Sequence, residues 1–155
     1  MSSEGKRILI LGAGFGGLTA ANLLRKNLSL PSGQVEHQIT IIDRKDYFMM
    51  GLVNLWILNG TRTLDDSKIA LNRLENKGIR FLSGEVTAID AISKTVTIRG
   101  SSALRLEYDY LVIALGSEFA LEHVKGFLEN GGSNLYDAEQ IPRSTRSGFK
   151  FQLKP

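Results

Sequence analysis

The sequence predicts an α/β fold, a Rossmann-like parallel sheet that carries a small antiparallel β-meander. Three observations predict it. An apolar run, Ile8 to Leu11, leads directly into a glycine-rich turn and then a helical pattern. A second apolar run lies at 38–43 (QITIID) and a third at 110–115 (YLVIAL). Between them, short segments alternate apolar and polar residues. Unbroken apolar runs suit parallel strands buried on both faces, and alternation suits antiparallel strands with one wet face.

The elements follow in order. Residues 6–11 (KRILIL) are the first strand, and Gly12 to Gly17 make the turn. Residues 16–27 are a helix with Leu18, Ala21, Leu24 and Leu28 along one face. Residues 29–37, with Pro31 and Gly33, are a polar loop, and 38–43 are the second strand. This strand–turn–helix–strand order is the opening βαβ unit of a doubly wound sheet. A helix is predicted over 64–77, capped by Asp65 or Asp66, with Lys77 at its negative end and Gly78 as its stop. Residues 79–83 (IRFLS) give a third parallel strand. Segments 84–90, 94–99 and 104–108 form the meander, and 110–115 returns to the central sheet. Residues 126–134 read as loop, 136–141 as one helical turn, and the last dozen residues carry no usable period.

Composition excludes several classes of function. Of 155 residues, 43% are hydrophobic and 23% charged, which is enough apolar surface to offset the cost of ordering the chain. The net charge of +3, with no basic stripe interleaved with aromatics, argues against nucleic acid. The basic residues Arg143, Arg146, Lys150 and Lys154 read as a solvated tail, with a membrane-surface contact as the alternative. There is no cysteine, so disulfides, thiolate metal sites and cysteine nucleophiles are out. His37 and His123 have no ligand-like spacing, and no metal site is expected. Lys6 and Arg7 before an apolar run imitate a signal peptide, but the glycines at 12, 14, 16 and 17 interrupt it. The apolar stretch Tyr47 to Leu58 is about half the length needed to cross a bilayer.

The chemistry sits in Gly12-Ala13-Gly14-Phe15-Gly16-Gly17, a G-x-G-x-x-G sequence placed between a strand and a helix. Gly12 allows the tight turn. Gly14 lets the backbone approach a pyrophosphate, and Gly17 lets the helix pack closely. The helix N-terminus then offers N–H groups and a positive dipole end to the phosphates. Asp43 ends the second strand, where a carboxylate accepts hydrogen bonds from ribose hydroxyls. It disfavours a 2′-phosphate, although Arg44 beside it keeps NADP open. These residues alone do not separate FAD from NAD.

Later segments resemble one family. Tyr108-Asp109-Tyr110-Leu111-Val112-Ile113-Ala114-Leu115-Gly116 resembles the second FAD signature of flavoproteins with two dinucleotide domains, with Ala-Leu-Gly where the family has Ala-Thr-Gly. Gly84-Glu85-Val86-Thr87-Ala88-Ile89-Asp90 resembles the segment whose valine backbone meets the adenine. The stretch from Asp46-Tyr47-Phe48 through Leu55-Trp56-Ile57 to Gly60 is similar to the segment that runs toward the flavin, with Met50 and Gly51 where a proline is usual. The superfamily is that of FAD-dependent pyridine nucleotide-disulfide oxidoreductases. Within it, the resemblance is to sulfide:quinone oxidoreductases, flavocytochrome c sulfide dehydrogenases and type II NADH dehydrogenases. With no redox cysteine pair, a glutathione- or lipoamide-reductase reading is poor.

The resemblance implies an FAD-binding domain over 1–117 and a connecting segment over 118–155 toward a missing second dinucleotide domain. It implies FAD held by Gly12, Gly14, Phe15, Gly16, Gly17, Asp43, Arg44, Val86, Ala114 and Gly116. It implies oxidation of NAD(P)H or sulfide with reduction of quinone, through regions absent here. It also implies a cytoplasmic place, with peripheral membrane association as an option. Relative to the family the chain reads as a fragment, a truncated product or a partner-completed half. No residue stands out as acid, base or nucleophile, and oligomeric state is not readable. Two other readings compete: an NAD-binding Rossmann domain of another enzyme, and a non-catalytic nucleotide-binding remnant.

Overall fold

A computed structural model describes residues 5–28, 37–100, 103–132, 134–138 and 141. Residues 29–36 of the loop expected at 29–37, residues 139 and 140 of the turn expected at 136–141, and the chain beyond Ile141 lie outside the described residues.

The chain divides into two compact units, residues 1–48 with 70–117, and residues 49–69 with 118–155. The first holds β1 (Arg7–Leu11), α1 (Phe15–Asn27), β2 (Gln38–Asp43) and the two-residue strand β3 (Tyr47–Phe48). After the short strand β4 (Ile69–Ala70) come β5 (Ile79–Ser83), β6 (Glu85–Asp90), β7 (Thr95–Arg99), β8 (Ala103–Glu107) and β9 (Tyr110–Ile113). Four of these strands form one parallel sheet in the order β5-β2-β1-β9. In register, Ile10 pairs with Ile41 on one side and with Val112 on the other.

The apolar runs explain why this sheet is buried twice. A strand's side chains alternate between faces. Ile8, Ile10, Ile39 and Ile41 therefore face α1, packing with Ala21, Leu71 and Leu74. Leu9, Leu11 and Ile42 face the other way and pack on Val96, Ile98 and Tyr108. That second layer is the antiparallel meander β6-β7-β8. The central apolar residues of β1 and β2 are thus buried on both faces of the sheet, which is the reason for their unbroken apolar runs.

Salt bridges and hydrogen bonds close this unit at one end. The backbone N–H of Arg7 donates to Asp109 Oδ2 at 2.7 Å, and its guanidinium donates to Glu107 Oε2 at 2.6 Å. The start of β1 is thereby pinned to the turn between β8 and β9.

The α-helix predicted over 64–77 does not form. A 3-10 turn occupies Asp65–Ser67, β4 follows, and a 3-10 helix runs Leu71–Lys77. The cause is local. Asp66 accepts hydrogen bonds from the N–H and hydroxyl of Thr63, and Ser67 Oγ donates to the Thr63 carbonyl at 2.9 Å. Side chains that bond their own backbone this way favour a tight turn over a continuing helix. Beyond it, buried Leu71 and Leu74 are three apart, one turn of a 3-10 helix. Lys77 and Gly78 do end the element, and Lys77 Nζ also donates to Asn22 Oδ1 at 3.0 Å.

The second unit contains a 3-10 turn, Gly51–Val53, running into the short helix α2 (Asn54–Leu58). Its core is small: Val53, Ile57 and Ile141, with Met49, Leu58 and Leu64 beside them. The side chain of Asn54 is buried and donates from Nδ2 to the carbonyls of Leu135 and Tyr136, at 3.0 and 3.2 Å.

Candidate nucleotide-binding site

The site is built at the C-terminal end of the parallel sheet, where β1 turns into α1. Gly12 has φ +96°, and a Cβ there would lie 2.2 Å from the carbonyl oxygen of Ala114. Only glycine fits both constraints. The turn therefore rests on the end of β9, which the Ala114 N–H fixes by donating to the Leu11 carbonyl at 2.8 Å. A Cβ at Gly17 would lie 1.8 Å from the Gly12 carbonyl oxygen. The first turn of α1 packs backbone against backbone on the loop that precedes it.

Gly14 differs from both. A Cβ there would meet nothing within 4 Å. It faces open space at the helix N-terminus, with φ −77°, which any residue adopts. The first intrahelical bond is Leu18 N–H to the Gly14 carbonyl, at 3.0 Å. The N–H groups of Phe15, Gly16 and Gly17 precede that bond and point toward the same end. The first turn carries no acidic residue to compete for them. The arrangement suits an anion, with oriented N–H donors and the positive end of the helix dipole. Room where a Cβ would otherwise stand, beside free donors, is the geometry a diphosphate requires, so these residues fit FAD or another dinucleotide.

Asp43 is brought to this turn by its own carboxylate. Oδ2 accepts the Ala13 N–H at 2.7 Å and Oδ1 accepts the Lys45 N–H at 2.9 Å. Each oxygen of an ionised carboxylate keeps a further acceptor site, so Asp43 can hold the loop and receive a diol at once. The Gly12 N–H meanwhile donates to the Ile42 carbonyl at 2.7 Å, so the loop is tied to the end of β2 twice.

The remaining predicted residues gather less tightly. Ala114 lies under Gly12 and 3.6 Å from where a Gly16 Cβ would be. Gly116 follows two residues on, exposed, with φ +75°. Val86 is half-buried in β6, its side chain against the second core. It adjoins the end of β2 because the Gly84 N–H donates to the Asp43 carbonyl at 2.9 Å. A register shift between Val86 and Ala88 bulges the strand there, and bulges re-aim backbone groups beside sites. Arg44 is exposed next to Asp43, and its charge, after that of Arg99, helps hold the Glu85 carboxyl below the usual range. Phe15 is 63% exposed and meets Phe48 edge-on, centroids 5.2 Å apart.

Three participants escape the sequence reading: Ala13 and Lys45, which act only through backbone N–H groups, and Phe48 as the partner of Phe15. The Asp43–Lys45 contact is an Asx turn, for which the Asp-Arg-Lys order was an available signal. Backbone donors otherwise leave no mark on residue type. Among the described residues no group of three or more His, Asp or Glu could hold a metal ion.

Comparison with known proteins gives the family of the chain. The type II NADH:quinone oxidoreductase of Staphylococcus saprophyticus is 31% identical over 152 residues, covering 96% of this chain and 36% of that protein. The alternative NAD(P)H-ubiquinone oxidoreductase C1 of Arabidopsis thaliana is 34% identical over 164 residues, covering 93% of this chain and 31% of that one. The solved sulfide:quinone oxidoreductase of Aquifex aeolicus superposes with a TM-score of 0.77 at 27% identity, covering 92% of this chain and 31% of that one. The chain therefore spans about a third of the length of the curated relatives it matches. Residues 6–147 match the pyridine nucleotide-disulphide oxidoreductase family. The fold is the Rossmann-like nucleotide-binding fold of those proteins, and the chain belongs to the pyridine nucleotide-disulphide oxidoreductase family.

Proposed function

We propose that this chain is the FAD-binding, N-terminal part of a flavoprotein oxidoreductase that takes electrons from NAD(P)H or sulfide and reduces a quinone. The observation that carries the proposal is the contrast within the glycine turn. Gly12 and Gly17 are closed by backbone, while Gly14 opens onto unfilled space beside the donors of α1. Packing explains the first two glycines, and a ligand explains the third.

In this reading the N–H groups of Phe15, Gly16 and Gly17 receive the diphosphate, and Asp43 accepts the ribose hydroxyls. The bulged backbone at Val86 and the side chain of Arg44 border the adenine, and Ala114 and Gly116 line the path of the diphosphate. When bound, FAD supplies two-electron transfer between donor and acceptor, and the protein's part is to hold, orient and shield it. The donor and the quinone are those in the names of the relatives. The protein would then work from the cytoplasm, at the face of the membrane that holds its quinone. Among the described residues no helix is long and apolar enough to cross a membrane.

An absorption spectrum of the purified chain, with and without added FAD followed by desalting, tests the proposal. Flavin bands that remain with the protein are expected. Binding of NAD with no retention of FAD would turn the assignment to a nicotinamide domain. A protein that retains neither would leave a nucleotide-binding remnant.

A further inference from the structure

The N-terminus of α1 has few means of staying ordered. Gly14 offers no side chain to cap it, and two of its first three residues, Gly16 and Gly17, are glycine. Helix ends fray, and glycine loses the most backbone freedom on ordering. Backbone packing holds Gly17, where a Cβ would strike the Gly12 carbonyl oxygen. The N–H groups of Phe15 and Gly16 lie ahead of that contact. Phe15 carries the one side chain of this first turn, and it is aromatic where every other residue of the loop from Gly12 to Gly17 is glycine or alanine.

The ring of Phe15 meets that of Phe48 at 5.2 Å between centroids and 86° between planes. Aromatic pairs favour this edge-to-face arrangement. Phe48 is the fixed partner of the two. It is half-buried and packs on the first core. The chain that carries it is tied down just upstream, because the N–H of Leu71, itself buried in that core, donates to the Asp46 carbonyl at 2.9 Å. One step further back, Asp43 accepts the Lys45 N–H through one carboxylate oxygen and the Ala13 N–H through the other. The glycine turn and the support of Phe48 therefore share an anchor.

We propose that Phe48 is a positioning residue for the diphosphate. Its ring holds the ring of Phe15, and so keeps the leading N–H groups of α1 in the orientation that receives an anion. The inference rests on the FAD reading above for the identity of the ligand.

Amide hydrogen exchange in the unliganded chain reads the turn directly. The first intrahelical bond, from the Leu18 N–H to the Gly14 carbonyl, opens when the turn frays. Phe48→Leu keeps apolar bulk and removes the ring. It should speed exchange at Leu18 about 2- to 10-fold, the worth of an aromatic pair, while exchange at Leu9, Ile10 and Ile41 in the sheet holds. Phe48→Tyr restores the ring and should restore the rate. In FAD titrations Phe48→Leu should weaken binding by a similar factor. That loss should vanish when Phe15 is already replaced by leucine, because Phe48 acts through Phe15. Unchanged exchange at Leu18, a rise spread evenly over the sheet, or an equal loss of FAD affinity in the Phe15→Leu background would each overturn the proposal. A chain that binds no FAD would overturn the function proposed above, and the Leu18 amide would then decide this inference alone.

Discussion

The floor and the mouth of the glycine turn use the same residue for opposite reasons. At the floor, Gly12 and Gly17 have no room for a methyl group, because the carbonyl oxygens of Ala114 and Gly12 stand within 2.2 and 1.8 Å of where it would be. At the mouth, a Cβ on Gly14 would meet nothing within 4 Å. The floor belongs to the fold, and under the proposed function the mouth belongs to a ligand. A motif read as one signature is thus two devices, separable by experiment, because they answer to different measurements.

The largest effects should come from the floor. Gly17→Ala forces α1 away from the loop, and Gly12→Ala adds left-handed strain to a backbone clash. Each should cost about 3 kcal/mol or more, seen as a fall in the midpoint of chemical denaturation. Normal stability in either variant would mean that the turn is looser than described. Asp43→Ala should come next. It removes the acceptor for the Ala13 and Lys45 N–H groups, and it should weaken FAD binding by about 1–3 kcal/mol. Titration calorimetry would measure that loss, and an unchanged affinity would detach Asp43 from the ligand.

A smaller effect concerns pH. The Arg7 backbone N–H, and then its guanidinium, hold the Asp109 carboxyl below the usual carboxylate range. A carboxyl whose folded pKa is depressed adds stability at pH above its ordinary value of about 3.9, and loses it as pH falls through the folded value. Stability should therefore drop in acid below about pH 4. Asp109→Asn should flatten that part of the curve, and an identical acid limb in the variant would exclude this contact as its cause. Smallest of all should be Gly14→Val on stability, within about 0.5 kcal/mol, since the side chain enters open space.

The two units show how far residue patterns reach. In the first, β1 and β2 were legible because their central apolar residues are divided between two cores, so local pattern and long-range packing agree, and β9 adds Leu111 to one core and Val112 to the other. The meander was legible for the same reason, with Val96 and Ile98 buried between wetter neighbours. The predicted helix at 64–77 failed because Thr63, Asp66 and Ser67 bond one another across a tight turn, and helical spacing does not register such local closure. In the second unit Leu52 and Leu55 are apolar yet exposed, Leu52 at 68%, so apolarity there does not mark a core. Of the candidate site, the glycines and Asp43 were legible from type and spacing. Ala13 and Lys45 were not, because a backbone N–H carries no residue signature.

The central claim is that Gly14 is glycine for the sake of a ligand. FAD titration of Gly14→Val beside the unaltered chain, with a denaturation curve for each, tests it most directly. The account predicts matching curves, and FAD retained by the unaltered chain but lost from the variant. Full FAD affinity in Gly14→Val would contradict it, because the mouth of the turn would then not be where the diphosphate lies.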